Sequence, residues 1–108
     1  MTGTNASDYR VGAQGAGRGP DGELQLIHGR NSRMRLWQGE QPADSADKTP
    51  STNDYETLGY VVSGQVELTV EGQTLTLNAG DSYRVPSGAE HVYRVTQTLT
   101  AVEVLSTP

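Results

Sequence analysis

The sequence lacks cysteine, phenylalanine and any long apolar run, and these absences exclude several classes of protein. Without cysteine among its 108 residues, the chain can form neither a disulfide framework nor a thiolate–metal centre. No apolar run approaches the roughly 18 residues that a membrane-spanning helix needs, and the N-terminus has no apolar stretch of the signal-peptide type. We therefore expect a cytoplasmic protein that has no membrane partner.

Basic charge is also scarce. Eight Lys and Arg against thirteen Asp and Glu give a net charge of −5, so a nucleic acid would be repelled overall and is not expected as a partner. One Trp and no Phe leave a thin core for a single domain of this length. Burial of a further surface against a second copy would offset this weakness, and a homodimer is the expected assembly.

The composition divides the chain at residue 22. Residues 1–22 contain six glycines and few apolar side chains, so they cannot bury enough apolar area to offset the entropy of ordering. This predicts a flexible N-terminal arm, followed by one barrel domain over residues 23–108. Alternatively, Tyr9 and Val11 attach the arm to a partner subunit.

Beyond residue 22 the pattern is that of β-structure. Glu23 to His28 and Ser32 to Gly39 are predicted as the first two strands. Residues 40–53 hold two prolines and no apolar period, which predicts a long loop. Loops of this length in compact domains are often functional.

The second half of the sequence alternates apolar and polar residues between turn signals. Reversals are predicted at Ser63-Gly64, at Glu71-Gly72 and at Thr96-Gln97. Eight or nine short strands with turns every 8 to 12 residues predict a sandwich or a closed barrel. No segment has helical caps followed by a 3.6-residue apolar period, so we expect almost no helix.

One motif stands out between Gly80 and His91: a glycine, five residues, Pro86, one residue, Gly88, two residues and a histidine. Two turns in twelve residues form a compact corner that aims the imidazole at whatever the strands enclose. This spacing resembles the second signature motif of the cupin family. Cupins are small β-barrels (jelly rolls) that usually hold a metal on three histidines and one carboxylate.

The resemblance extends over roughly residues 34–105, but it departs from the family at the metal positions. The run from Leu58 to Gly64 resembles the end of the first cupin motif. The family's spacing then implies Thr57 at the carboxylate position, with Asn53 and Ser51 at the histidine pair. The longer spacing that the family also shows would place the pair on Thr52 and Pro50. The resemblance therefore implies His91 as the one remaining ligand of a degenerate metal site.

We expect no metal or other cofactor in this barrel. A single imidazole with hydroxyls and an amide will not displace the water ligands of a divalent ion. On a regular strand Asp54 and Glu56 would lie on the face opposite Thr57 and point away from the barrel. A bulge at Gly59 would change this register and bring Glu56 inward.

Five residues are predicted to line one uncharged pocket. Tyr93 shares the face of His91 by alternation, and the resemblance implies that three residues of the first motif look into the same cavity. The predicted ligand-binding residues are Ser51, Asn53, Thr57, His91 and Tyr93. Such a lining suits a small polar molecule. Alternatively, His91 is a structural imidazole bonded to a neighbouring hydroxyl.

Two arginines lie beside the only tryptophan of the chain. Arg33 and Arg35 alternate with apolar residues, which predicts that both face away from the core or toward the mouth of the pocket. An arginine next to Trp37 most often stacks on the ring at a surface. It can also clamp an anionic substrate.

These observations favour a metal-free cupin that binds a small polar molecule or acts as a sensing or accessory module. The alternative is a cupin enzyme of isomerase, epimerase or dioxygenase type, in which His91 is an acid/base or, with Glu56, a metal ligand. The sequence indicates no inward Asp or Glu that would orient His91 as a base, so an enzyme is less favoured. A barrel without pocket chemistry is the third hypothesis.

Overall fold

The computed structural model describes residues 8–42 and 49–107. Their strands are β1 (Leu24–His28), β2 (Ser32–Glu40), β3 (Glu56–Val70), β4 (Gln73–Asn78), β5 (Ser82–Val85) and β6 (His91–Ser106). All pairs are antiparallel, in the order β1-β2-β6-β3-β4, and β5 pairs with β3. The predicted all-β fold is confirmed. No helix in this described part of the chain is long and apolar enough to cross a membrane.

The two longest strands, β3 and β6, form the centre of the sheet. They pair from Glu56 opposite Ser106 to Val70 opposite His91, with register shifts between Val61 and Val66. The reversals predicted at Ser63-Gly64 and Thr96-Gln97 are therefore wrong, because both dipeptides lie inside these strands. Gly64 takes a φ of 87° within the irregular stretch, where the two strands bend together instead of turning back.

Other turns agree with the sequence pattern. Glu71 and Gly72 have φ values of 47° and 80°, so both central residues of the β3–β4 turn are left-handed, as a type I′ hairpin requires. The first two strands lie within one residue of their predicted bounds. Residues 43–48 of the predicted loop, with Asp44 and Asp47, lie outside the described residues.

The core lies between the inner faces of β3, β4, β5 and β6. Val61, Leu68 and Ala101 are fully buried at its centre. Leu77, Val85 and other small apolar side chains complete a single cluster. With no phenylalanine to fill it, this core leaves room at one end of the barrel for polar side chains.

The last part of the N-terminal arm is attached to β1. The Gln25 amide donates to the Gly17 carbonyl over 2.8 Å, and the Gly19 amide donates to the Glu23 carbonyl over 2.8 Å. Tyr9 and Val11 are exposed in the single chain. Residues 1–7 lie outside the described part, so the flexible arm and its attachment to a partner both stay predictions.

Candidate functional site

A cavity of about 480 Å³ opens at one end of the barrel. Four of the five predicted ligand-binding residues, Ser51, Asn53, His91 and Tyr93, line it. The fifth, Thr57, is buried on β3 opposite Val85 and is not among the lining residues. Four of the predicted residues therefore lie together at the mouth of the cavity, while the fifth, Thr57, packs within the barrel wall.

Backbone hydrogen bonds hold the first-motif residues against the second motif. Ser51 and His91 exchange two amide-to-carbonyl bonds of 2.9 Å. The amide of Gly88, in the turn before β6, donates to the carbonyl of Asn53 over 2.8 Å. These bonds fix the end of the long loop beside the imidazole, so the polar groups of both motifs face one cavity.

The His91 imidazole is oriented by two neighbours. Its Nδ1 lies 3.0 Å from the Ala89 carbonyl oxygen, which can only accept, so Nδ1 carries a hydrogen. Its Nε2 lies 3.4 Å from Nδ2 of Asn53, a donor. In the neutral imidazole Nε2 is then an acceptor beside the cavity. The ring also packs edge-on against Tyr93, with centroids 5.6 Å apart.

The sequence analysis missed Glu103, a carboxylate that is 1% exposed at the cavity wall. Its Oε1 accepts from Nε of Arg35 over 2.6 Å and from Nε1 of Trp37 over 2.9 Å. Its Oε2 accepts from the hydroxyl of Tyr83 over 2.6 Å, with the Tyr93 hydroxyl at 3.4 Å. All four neighbours are donors, so the buried carboxylate is fully hydrogen-bonded.

The prediction of an uncharged pocket is thus wrong, because Arg35 and Glu103 line it. An acidic side chain does point inward, although the hydrogen-bond partners of Glu103 do not include His91. Glu103 has the same parity on β6 as Leu99, Ala101 and Leu105, which are buried, and the alternation could have revealed it. The signal was masked because Val102 and its neighbour Val104 make the opposite face of the strand apolar as well.

Arg35 lies on the inner face of β2 and lines the cavity. Burial alone would lower the pKa of Arg35, but the charge and hydrogen bond of Glu103 outweigh burial and raise it. The guanidinium lies 5.1 Å from the ring centroid of Trp37, and Oε2 of Glu23 lies 3.9 Å from its Nη1. The positive charge of Arg35 is therefore matched by carboxylates within the protein.

Burial, together with the nearby charge of Glu103, raises the pKa of Tyr83 and the pKa of Tyr93 well above the ordinary value for tyrosine. The two rings meet edge to face with centroids 6.2 Å apart. Both hydroxyls consequently stay protonated and act as donors at neutral pH.

These raised pKa values predict a loss of stability at alkaline pH. Below pH 10 the tyrosines are protonated in both states, and their contribution is fully present. Above about pH 10 the unfolded chain releases protons that Tyr83 and Tyr93 retain when folded, so stability falls by up to about 2.7 kcal/mol per pH unit.

Urea unfolding midpoints between pH 9 and pH 11.5 measure this slope. Tyr83→Phe should halve it, whereas Tyr60→Phe, at an exposed position, should not change it. Equal slopes in all three proteins would contradict the assignment.

The residues at the expected metal positions do not fit a metal centre. Ser51, Asn53 and Thr57 offer hydroxyls and an amide beside the single imidazole of His91, and such donors hold a divalent ion weakly. Within residues 8–42 and 49–107, no three His, Asp or Glu side chains come together as ligands.

Glu56 does not replace the missing ligands. Its Oε2 accepts from Nε of Arg84 over 2.8 Å on the outer face of the sheet. The β3–β6 register runs without interruption from Glu56 through Gly59 to Val61, so the bulge that would turn Glu56 inward is not present in this stretch. Asp54 is exposed and does not line the cavity.

Comparison with known proteins relates the chain to one protein family and to solved structures with the same fold. A family model described as the cupin domain matches residues 32–108. An RmlC-like cupin from Shewanella frigidimarina is 18% identical with a TM-score of 0.78, covering 94% of this chain and 93% of that one. KdgF from Halomonas sp. is 20% identical with a TM-score of 0.66, covering 80% of this chain and 77% of that one.

The cupin domain of Cnp3 from Schizosaccharomyces pombe is 13% identical with a TM-score of 0.70, covering 80% of this chain and 60% of that one. At these identities the likeness establishes the fold alone, and it supports the predicted barrel. No curated protein sequence matches the chain.

Proposed function

We propose that this chain, which belongs to the cupin family, binds a small neutral polar molecule in its cavity without a metal ion. One observation carries the proposal: an open cavity of about 480 Å³ is retained, while hydroxyl, amide and imidazole groups stand where the family's metal ligands would be. Such a cavity offers hydrogen bonds rather than coordination.

The charges around the cavity favour a neutral ligand. Among the lining residues that the structure describes, Arg35 is the only Lys or Arg, and its guanidinium is bonded to Glu103 at 2.6 Å, so it offers an anion no free positive charge. Asp21 and Glu40 also line the cavity and would repel an anion further. By contrast, the contact between Nε2 of His91 and Nδ2 of Asn53 is long, at 3.4 Å, so a ligand hydroxyl can replace the amide as the donor to Nε2.

Binding is favoured over acid–base catalysis by the partners of His91. The imidazole contacts the Ala89 carbonyl and the Asn53 amide, which orient the ring but carry no negative charge that would stabilise its protonated form as a carboxylate would. Glu103 instead accepts from four donors and contacts Tyr93 rather than His91. A dioxygenase would need ligands that the residues of this cavity do not supply. A sensing or accessory role would use the same binding event.

Thermal unfolding with matched probes tests the proposal. Neutral polyols and sugars (glycerol, myo-inositol, glucose) are compared with glucuronate, which has the skeleton of glucose and a negative charge. A neutral probe at ten times its Kd should stabilise the fold by about 1.4 kcal/mol, which raises Tm by several degrees. Glucuronate should raise Tm less, because Arg35, the cation among the described lining residues, is already paired with Glu103.

Two variants and a chelator test whether the Tm shift depends on His91 and whether it needs a metal ion. His91→Ala should abolish the shift, whereas His28→Ala should preserve it, because His28, the only other histidine, is exposed and does not line this cavity. Protein dialysed against EDTA should show the same shift as untreated protein. A shift that EDTA removes, a shift that survives His91→Ala, or no shift with any neutral probe would count against the proposal.

A further inference from the structure

A second cavity, of about 370 Å³, lies against the first two strands, and its volume is at the lower end of the range for small-molecule sites. Of the described residues, only Arg35 lines both this cavity and the cavity of His91. Strands β1 and β2 and the arm segment before them supply most of the lining. We call this cavity the hairpin cleft and define it by six of its lining residues: Pro20, Gln25, Leu26, His28, Arg33 and Leu105.

The hairpin that forms this cleft is basic, although the chain as a whole has a net charge of −5. Between Glu23 and Glu40 the sequence has one histidine, no acidic residue and three arginines, which are Arg30, Arg33 and Arg35. Because β1 and β2 lie at one edge of the sheet, they concentrate positive charge there. This edge therefore suits an anion better than the cavity of the proposed function does.

Arg33 differs from Arg35 in having no carboxylate partner. Arg35 is bonded to Glu103 at 2.6 Å, with Glu23 at 3.9 Å. Within the described residues, no acidic side chain pairs with Arg33, and no acceptor bonds to its guanidinium. The guanidinium lies 5.4 Å from the ring centroid of Tyr55, and this contact orients the group while its N–H donors stay unused. Arg33 is therefore a positioned cation that an anion can reach.

The strand register places further donors around Arg33. His28 of β1 is its cross-strand partner, and Cβ atoms of directly opposed residues on one face lie about 5 Å apart. Gln25 stands opposite Arg35 in the same way. Neither His28 nor Gln25 uses its side chain in a hydrogen bond to another described residue. On the other side of Arg33 the partner is Leu105, which is buried and provides an apolar floor.

The carboxylate of Glu23 also lines the cleft, but its charge is already engaged. Its Oε1 accepts from the amide of Asp21 over 3.1 Å, and its Oε2 lies 3.9 Å from Nη1 of Arg35. Two arginines against this one carboxylate leave the described lining net positive. An incoming anion is therefore attracted to the side of the cleft where Arg33 and His28 stand.

We propose that the hairpin cleft binds a small monocarboxylate with an apolar body. The planar guanidinium of Arg33 matches both oxygens of a carboxylate. Pro20, Leu26 and Leu105 offer apolar contacts to the rest of the ligand. Glucuronate, which is polar on every side, lacks such a body. The site is separate from the cavity of the proposed function, because Arg33 does not line that cavity.

An NMR titration of the full ¹⁵N-labelled chain with hexanoate tests this site. We expect saturable shifts of the amides around Gln25, His28 and Arg33, with a Kd of about 1 mM or tighter. Hexanamide has the same shape without the charge and should bind at least about tenfold more weakly. Acetate and inorganic phosphate lack the apolar body, and each should also bind at least about tenfold more weakly. The amides of residues 51–53 and 88–93 should not shift, so this site is tested separately from the cavity of His91.

Variants of two neighbouring arginines identify the group that binds the carboxylate. Arg33→Gln should weaken hexanoate binding at least about tenfold, and Arg33→Lys should weaken it less, because the charge remains while the planar fork is lost. Arg30→Gln is the matched control, because Arg30 is exposed in the same hairpin but does not line the cleft, and its affinity should be unchanged. The spectrum of each variant shows that it is folded.

Four results would overturn the proposal. They are no saturable shift up to about 10 mM hexanoate, equal binding of hexanamide and hexanoate, equal losses in Arg30→Gln and Arg33→Gln, and shifts centred on His91 instead of the hairpin cleft. The last result would move the carboxylate into the first cavity and would also contradict the preference of that cavity for neutral molecules. The first three leave the proposed function untouched.

Discussion

Replacement of Glu103 by alanine should lower the free energy of unfolding by about 3–5 kcal/mol, a large share of the roughly 5–15 kcal/mol that holds a domain folded. The change leaves the guanidinium of Arg35 without the carboxylate that lies 2.6 Å away. It also leaves the Nε1–H of Trp37 and the hydroxyl of Tyr83 without their hydrogen-bond acceptor. Urea unfolding followed by tryptophan fluorescence measures the loss directly.

Surface and compensating variants show whether this effect comes from the buried pair. Glu67→Ala breaks an exposed ion pair with Arg94 and should cost at most about 1 kcal/mol. Arg35→Met combined with Glu103→Leu should cost less than Glu103→Ala alone, because neither member of the 2.6 Å pair is then left buried without the other. If Glu103→Ala and Glu67→Ala cost the same, the buried network does not stabilise the fold in the way described.

Gly64→Ala should cost at least about 3 kcal/mol or prevent folding. Gly64 has a φ of 87°, which L-residues rarely adopt, and an added Cβ would overlap the carbonyl oxygen of Thr98 and lie 2.9 Å from Cα of Leu99. Both contacts are with backbone in the middle of β6, so relief requires the two central strands to separate. The urea midpoint, or the yield of folded protein, measures the effect.

Gly80→Ala is the matched control for this prediction. Gly80 has a similar φ of 95°, but a Cβ there would meet nothing within 4 Å. It should therefore show only the conformational strain of a left-handed alanine, about 1 kcal/mol. Equal losses of stability in the two variants would mean that the close approach between β3 and β6 adds nothing to the cost of Gly64→Ala.

Much of the fold and part of the site follow from local sequence patterns. Alternation and turn dipeptides predicted the all-β architecture, and the spacing around Pro86 and Gly88 identified the corner before His91. The resemblance to the first cupin motif, counted back from Gly64, implied Ser51 and Asn53, which the structure places beside the imidazole. These are short-range features, because a turn or a strand face is decided within a few residues.

The features that were mispredicted depend on distant partners. A glycine with positive φ suits either a hairpin or a bulge, and at Gly64 the choice is made by pairing with β6, which local sequence does not show. Glu103 was hidden because Val102 and Val104 make both faces of its strand apolar. One face of β6 covers the cavity network, and the other lies on the outer side of the sheet.

The position of β6 also has a consequence for folding during synthesis. It is the last strand of the described chain, yet it lies between β2 and β3. Its residue Ser106 pairs with Ser32 of β2 on one side and with Glu56 of β3 on the other. Until the ribosome has released β6, the β1–β2 hairpin and the β3–β4 hairpin share no strand that joins them. Pairings this distant in sequence make folding slow, in the range of milliseconds to seconds, and leave sheet edges open for aggregation. The nascent chain therefore depends on β6 to become a barrel.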